Sequence, residues 1–405
     1  MAILQPLTDL WLKYGPQRDP FPQNWYPEYQ NNLWEVIHQN GGGCDYVSEH
    51  IIKSATFEKG RMIYKDRAYD TLLLPEIETM DLETARSLSA FADSGGKLVF
   101  IGKRPIKSAS YLDAAANDFE VKSMVDALLE RTDGNVVVYP SPQGDPIQWF
   151  GKLQDELGLK PYVRFEQTHK YLSQASYNLG GNSMYFLANT SLFEDIPVHA
   201  EFQEDNTQVP WIWNPETGEK LRYPTTGSNK QIDLLLPRAT SLLIVYESNK
   251  EGEAHQPLDL TSKGKEISGP WNLKLNHMNG KQQELKLDAL TDLIDLPSVK
   301  DFAGTVFYET SLDIDSGDSQ HIDLGQVQGI TELTLNGTML GTKWYGAHVY
   351  DIGSVVKQGE NSLSIKLTTI TGNYVKSLKD NPVAQRWTSH QANFPMGILG
   401  PVSII

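Results

Sequence analysis

A single cysteine, Cys44, stands in a chain of 405 residues. That count excludes an internal disulfide and a cysteine-built zinc site, but it does not separate cytoplasm from periplasm, because exported proteins also do without disulfides. Positive charge is scarce as well. The 35 Lys and Arg are outnumbered by 51 Asp and Glu, for a formal net charge of -16. Such a balance repels phosphate backbones, and no basic stripe interleaved with aromatics offsets it, so nucleic acid is not an expected partner. No run of about 18 apolar residues occurs, so no membrane span is expected. The opening MAILQPLTDLWLKYG shows no basic region followed by an apolar stretch and a small-residue cleavage site, so no signal peptide is read there.

Chemical signatures are equally sparse. No GxGxxG follows a strand and no Walker lysine is present, which argues against a nucleotide or dinucleotide cofactor. HExxH and other paired-histidine spacings are absent among the nine histidines, so no metal site is expected. A GxSxG elbow is missing, which removes acyl transfer. No cofactor is expected. Internal repeats and low-complexity tracts are also missing.

What is present is a globular composition, 40% hydrophobic and 21% charged, in a chain long enough for about three domains. Residues 1–161 alternate short apolar runs (Ala2 to Leu4, Thr71 to Leu74, Leu98 to Ile101, Val136 to Tyr139) with helical patterns (Tyr29 to Gln39, Leu82 to Asp93, Phe119 to Arg131, Pro146 to Leu157). That order suits successive βα units around a parallel sheet. Glycine-rich exits at Asn40 to Gly43 and Ser94 to Gly96 suit left-handed helix termination. A flavodoxin-like α/β domain is the expectation. From 162 to 250 the pattern changes to short strands with Gly, Asn and Pro turns, which predicts a small β-sandwich. Ser248 to Ser262 reads as a polar linker. A last domain then spans 263–405.

Within that last domain, Asp323 to Asn361 is the most informative stretch. Gly325, Asn336-Gly337, Gly341 and Gly359 to Asn361 punctuate β-branched runs at the spacing of antiparallel strands joined by tight turns. Asn-Gly is the strongest of these signals, because both central residues of a type I′ turn need positive φ. Val327, Ile330, Leu333, Leu335 and Leu340 are expected to bury one face, with Thr331, Glu332 and Thr334 between them. Trp344, with Tyr345, His348 and Tyr350 behind it, is open to two readings: a cap on the core, or a stacking platform for a sugar ring. The order DLG, LNG, LG, W, DI, GEN resembles the sugar-binding jelly-roll domain of family 2 glycoside hydrolases, a galactose-binding-like β-sandwich.

The whole chain resembles the C-terminal half of glycoside hydrolase family 106, the α-L-rhamnosidases. Matching stretches are Ile3 to Trp11, Trp25 to His50, Tyr69 to Met80 with Ser94 to Pro105, and Asp301 to Thr310 with Met396 to Ile404, all in family order. In that family the catalytic (β/α)₈ barrel, with its acid and base carboxylates, precedes the matched region. A barrel needs about 250 residues of repeated βα units, more than residues 1–161 supply. The resemblance therefore implies a fragment whose partner is the missing catalytic barrel, a periplasmic or extracellular setting, and a rhamnose-containing, plant-type glycan as ligand.

Glycoside hydrolysis needs two carboxylates about 5 to 10 Å apart across a cleft. Glu76 with Glu78, Asp292 with Asp295, and Glu201 with Glu204 are the pairs available; the first sits where α/β proteins bind ligands, beyond the carboxyl end of a parallel strand. Paired acids there also serve as helix N-terminal charges, so no catalytic residue is assigned. Carbohydrate recognition is assigned instead to Trp344, Asn373, Tyr374, Arg386, Trp387 and His390. A further aromatic group, Trp11, Trp25, Tyr26, Tyr29 and Trp34, surrounds Pro20, Pro22 and Pro27 in what reads as an ordered loop, either lining a cleft or packing on a neighbouring domain. The expected function is a non-catalytic, carbohydrate-recognising and scaffolding part of a rhamnosidase-like hydrolase. A free-standing carbohydrate-binding or interaction protein is the alternative, and an independent hydrolase using Glu76 and Glu78 is a third reading.

Overall fold

A computed structural model describes residues 1–15, 28–205, 207–225, 227–256, 264–314 and 321–405. The chain is a mixed α/β protein rich in β-sheet, and it divides into two compact units: residues 1–189, 196–236 and 241–255, then 190–195, 237–240 and 256–405. Among the described residues no helix is long and apolar enough to cross a membrane.

The first unit opens on a parallel sheet whose strands run in the order Asp45–Val47, Ala2–Leu4, Thr71–Pro75, Lys97–Ile101, Val136–Tyr139. Thr71–Pro75 is buried along its whole length, as a strand covered on both faces must be. Side chains of alternate parity enter different cores: Leu72, Leu74, Leu98 and Phe100 meet Ile52, Leu88, Phe91 and Val125, whereas Ile3, Leu73 and Val99 meet Leu33, Val36, Ile37, Phe150 and Leu153. Helices start where the sequence supplies caps. The Asp81 carboxylate accepts from Glu83 N ahead of Leu82–Asp93, and Asp145 accepts from Ile147 N with Pro146 in the first turn of Pro146–Glu156. The helix expected from Phe119 begins earlier, at Ala114, where an alanine run of high helix propensity extends it.

The same unit continues into two antiparallel sheets around one core. One runs Leu172–Leu179, Asn182–Asn189, Thr240–Glu247, Val209–Trp213, Lys220–Arg222; the other runs Gln231–Leu236, Ile196–Phe202, Val163–Phe165. Leu187, Val198, Phe202, Ile232, Ile244 and Tyr246 fill the space between them. The β part joins the α/β part through the glycines after helix Glu28–Gln39. Gly42 N donates to Ile37 O at 2.8 Å and Gly41 N to His38 O at 3.1 Å, a Schellman ending. Gly41 O then accepts from Tyr162 N and Val163 N, at 2.9 and 3.1 Å. A Cβ on Gly41 would lie 1.6 Å from Val163 O, so the seam closes only over a bare backbone.

The second unit holds a six-stranded antiparallel sheet, ordered Gln282–Leu287, Trp271–His277, Gly304–Ile314, Gly359–Thr368, Ile330–Leu335, Thr338–Lys343. Smaller pairings cover it, among them Ser403–Ile404 beside His321–Asp323 and Gln326–Gln328 beside Gly397–Gly400. Trp271, Leu273, Tyr308, Leu333, Leu335, Ile365, Tyr350, Met396 and Ile398 share its core. Asn336 and Gly337 take positive φ, 52° and 82°, at the turn expected of them. Ile330 corrects the expected burial: it is 42% exposed, while Thr331 is fully buried. Parity is the reason, since residues 331, 333 and 335 point to one face and residue 330 to the other. The buried Thr331 hydroxyl is satisfied by the Tyr350 hydroxyl at 2.7 Å and His348 Nδ1 at 2.5 Å.

Candidate functional site

Each unit carries one constellation of interest. In the second, strand register places His277, Gly304, Ile330, Lys343 and Thr368 at one end of the large sheet, through the pairs His277 with Gly304, Thr305 and Ile330 with Thr368, and Thr331 with Lys343. Trp344 follows Lys343 directly, and the helices Gly372–Ser377 and Pro382–Thr388 follow Thr368. The sequence-assigned residues therefore leave the sheet at the same end. One strand, Ile330–Leu335, lies between Thr338–Lys343 and Gly359–Thr368, a lateral offset of about 10 Å.

Their local roles differ. Trp344 is 61% exposed and meets Tyr345 edge-on, centroids 4.6 Å apart. Trp387 is 54% exposed, with the Arg386 guanidinium 5.5 Å from its ring centroid. His390 is exposed just beyond that helix. Tyr374 packs edge-on against His277 at 4.9 Å, and His277 in turn meets Phe302 at 5.1 Å. Asn373 is buried, and both ends of its amide engage Phe394: Nδ2 donates to Phe394 O at 2.7 Å and Oδ1 accepts from Phe394 N at 2.9 Å. It thereby holds Phe394, a half-exposed ring, beside the first helix. Asn381 caps Pro382–Thr388, accepting from Val383 N and Ala384 N, and Gln385 Nε2 ties that helix to Lys376 O and Leu378 O at 3.1 Å. Exposed aromatic rings thus stand on a braced segment, the arrangement that stacking on a sugar face requires. His277 escaped the sequence reading because it lies about a hundred residues from Tyr374, joined to it only by the sheet register.

In the first unit, a cleft of about 500 Å³ opens at the carboxyl ends of the parallel strands. Glu76 follows Thr71–Pro75 in left-handed backbone, φ 54°, and accepts a short hydrogen bond from the Ser141 hydroxyl. Gly102 lies against that carboxylate so closely that a Cβ would sit 2.3 Å from Glu76 Oε1. Glu78 turns elsewhere. Lys103 hydrogen-bonds it and holds its carboxyl below the usual range. The buried Asp9 carboxylate accepts from Glu78 N at 3.2 Å and Thr79 N at 2.9 Å, with Lys13 Nζ 2.8 Å from its other oxygen. Tyr29 lines the cleft, and burial, reinforced by Asp9 and Glu76, pushes its phenol well up, so it stays a neutral O–H donor.

The other carboxylate pairs have structural work. Asp292 Oδ1 accepts from Ile294 N at 3.1 Å and Met396 N at 2.8 Å, and Glu204 accepts from the buried Tyr185 hydroxyl while Glu201 faces outward. Among the described residues no cluster of His, Cys, Asp and Glu is arranged to hold a metal. Of the first aromatic group, Trp11 lies exposed on helix Leu7–Tyr14, and Tyr29 and Trp34 lie on helix Glu28–Gln39, as the helical pattern over Tyr29 to Gln39 has it, so these three are not part of a loop. Pro20, Pro22, Trp25, Tyr26 and Pro27 fall outside the described residues.

Part of the chain is similar to a family of glycoside hydrolases. Residues 35–224 match the glycoside hydrolase family 106 model, described as alpha-L-rhamnosidase, which is the family its sequence resembles. The fold is similar to a rhamnosidase from Novosphingobium sp. PP1Y, with a TM-score of 0.61 and 21% identity over 89% of this chain and 36% of that one. A putative beta-glucuronidase from Formosa agariphila is 24% identical over 176 residues, 34% of this chain and 15% of that protein. The chain thus spans about a third or less of the relatives it matches.

Proposed function

We propose that this chain is the non-catalytic, carbohydrate-recognising and scaffolding portion of an α-L-rhamnosidase-like glycoside hydrolase. The carrying observation is the match of residues 35–224 to the α-L-rhamnosidase family. In this reading residues 1–161 form a flavodoxin-like domain, supported by the strand order 2-1-3-4-5 when its parallel strands are numbered along the chain. Residues 162–250 form a β-sandwich, and residues 263–405 a galactose-binding-like jelly roll, supported by antiparallel sheets closing on one core. The acid and base of hydrolysis belong to a barrel outside this chain, which acts on a rhamnose-containing glycan in a periplasmic or extracellular setting.

Carboxylate geometry supports the non-catalytic reading. Glu78 is paired with Lys103 and Asp292 is spent on backbone amides, so none of the pairs assigned from sequence stands as two free carboxylates; Glu28, the other carboxylate lining the cleft of Glu76 among the described residues, belongs to none of them. The chain alone should release no aryl leaving group from an aryl α-L-rhamnoside above background. Turnover that co-purifies with the protein and disappears in Glu76→Gln would establish an independent hydrolase instead.

A further inference from the structure

The first unit's cleft has no role in that reading, which concerns the aromatic end of the second unit. We propose that it is a second glycan site, taking a neutral sugar ring whose hydroxyls donate to the Glu76 carboxylate while an apolar ring face lies on the aromatic wall.

Position and size come first. The cleft lies beyond the carboxyl ends of the parallel strands, where open α/β sheets bind ligands. Its volume of about 500 Å³ falls within the range of small-molecule sites. Its floor is strained: Glu76 is a non-glycine residue at φ 54°, a conformation that persists only where surrounding structure holds it. Ser141 and the bare backbone of Gly102 supply that support. Together they present a carboxylate to the cleft in one fixed orientation.

Charge then selects the ligand. Lys13 and Lys103 line the cleft, but the first is paired with Asp9 and the second with Glu78. Their positive charge is already matched. Glu76 accepts from the neutral Ser141 hydroxyl, Lys103 feels its charge while hydrogen-bonding Glu78, and Glu28 adds a second negative group to the wall. An anionic ligand would face both carboxylates, and among the described lining residues each lysine already has a carboxylate of its own. A neutral polyol meets no such penalty, and adjacent hydroxyls match the two oxygens of a carboxylate.

The remaining wall suits a sugar ring. Trp149 donates its indole N–H to Pro140 O at 3.0 Å, so it offers the cleft apolar ring surface and no free donor. Tyr139 meets that indole edge-on at 5.8 Å and fixes its tilt. The protonated Tyr29 phenol adds one donor near the carboxylate.

The test uses the full chain with its nine tryptophans labelled as 5-fluorotryptophan, the Trp149 resonance being assigned by its loss in Trp149→Phe. L-rhamnose is the neutral probe and D-galacturonate the anionic one. We expect rhamnose to shift the Trp149 resonance saturably, with Kd on the order of 1 mM, and Glu76→Gln to weaken that binding about tenfold by removing a charge-assisted acceptor. Galacturonate should bind more weakly than rhamnose. The proposal is overturned by a Trp149 resonance unmoved by rhamnose, by equal affinity for the two sugars, or by unchanged affinity in a folded Glu76→Gln. The comparison of sugars on the unmutated chain decides the matter even if that variant unfolds. Shifts confined to Trp344 or Trp387 would reject the cleft while leaving the proposed role of the second unit intact.

Discussion

The side-chain amide of Asn336 donates to Asn361 Oδ1 at 2.8 Å, tying a hairpin turn to the end of the adjacent strand. Both residues are turn signals in the sequence, and the structure makes them one network. Asn361, fully buried, also accepts from Lys357 N at 2.9 Å and donates to Lys357 O at 2.7 Å and Gly359 O at 2.9 Å. Asn336 in turn donates to Val355 O and accepts from Ser362 N.

Asn361→Leu should therefore destabilise the second unit by about 3 kcal/mol, because it leaves several buried polar groups unpaired. Asn336→Gly should cost less, since glycine keeps the positive φ and loses only the partly exposed bonds. Urea unfolding followed by fluorescence would rank them; equal costs would show that Asn361 is not the centre of the network.

Gly41→Ala probes the seam within the first unit. Its Cβ would collide with Val163 O, and φ 76° is itself unfavourable for alanine, so a loss of about 3 kcal/mol or more is expected. Gly134, at the same φ with nothing within 4 Å, is the control, and Gly134→Ala should cost about 1 kcal/mol. Similar melting temperatures for the two variants would mean that the seam is loose.

His348 predicts an acid-sensitive second unit. Burial, assisted by the Lys343 charge, lowers its pKa from 6.5 to about 4 in the folded state. The folded chain thus resists a proton that the unfolded chain accepts, so stability is complete above about pH 6.5 and falls as the pH drops toward 4. The loss across that window is about 3 kcal/mol. Comparing chemical denaturation of the native chain and His348→Gln at pH 7 and pH 4.5 isolates this contribution. An identical pH response in both would rule it out.

How far the sequence could be read follows from periodicity. Ala2–Leu4 and Val136–Tyr139, and the helix Leu82–Asp93, were legible to the residue, because short buried runs and a capped amphipathic repeat each leave one interpretation. The hairpins within Thr56–Tyr69 were not, since their strands are short and mostly exposed and lack an apolar face. Gly41 reads in sequence as a helix ending, and nothing local reveals that Val163 will pack on it. The first unit's cleft was legible only in part: Glu76 reads as a residue beyond a strand's carboxyl end, but Ser141 reaches it through the parallel register and Trp149 through the helix Pro146–Glu156, neither of which a local pattern reveals.

The aromatic end of the second unit gives the last prediction. One exposed ring and two or three solvent-competed hydrogen bonds support only weak affinity, about 0.1 to 1 mM, or about 4 to 5.5 kcal/mol. Trp387, carried with Arg386 on a capped helix, is the best-supported stacking ring, so Trp387→Ala should lower affinity for rhamnose oligosaccharides about tenfold without changing the melting temperature. Asn373→Ala should act differently. Its amide holds both backbone groups of Phe394, so its loss should lower the melting temperature and weaken binding together. Arg386→Ala tests whether the guanidinium contributes beyond its contact with the indole. Titrations followed at the indole resonances of Trp344 and Trp387 and the ring of Tyr374 would read all three variants, and a titration that moves none of those signals would reduce this end of the sheet to a structural brace.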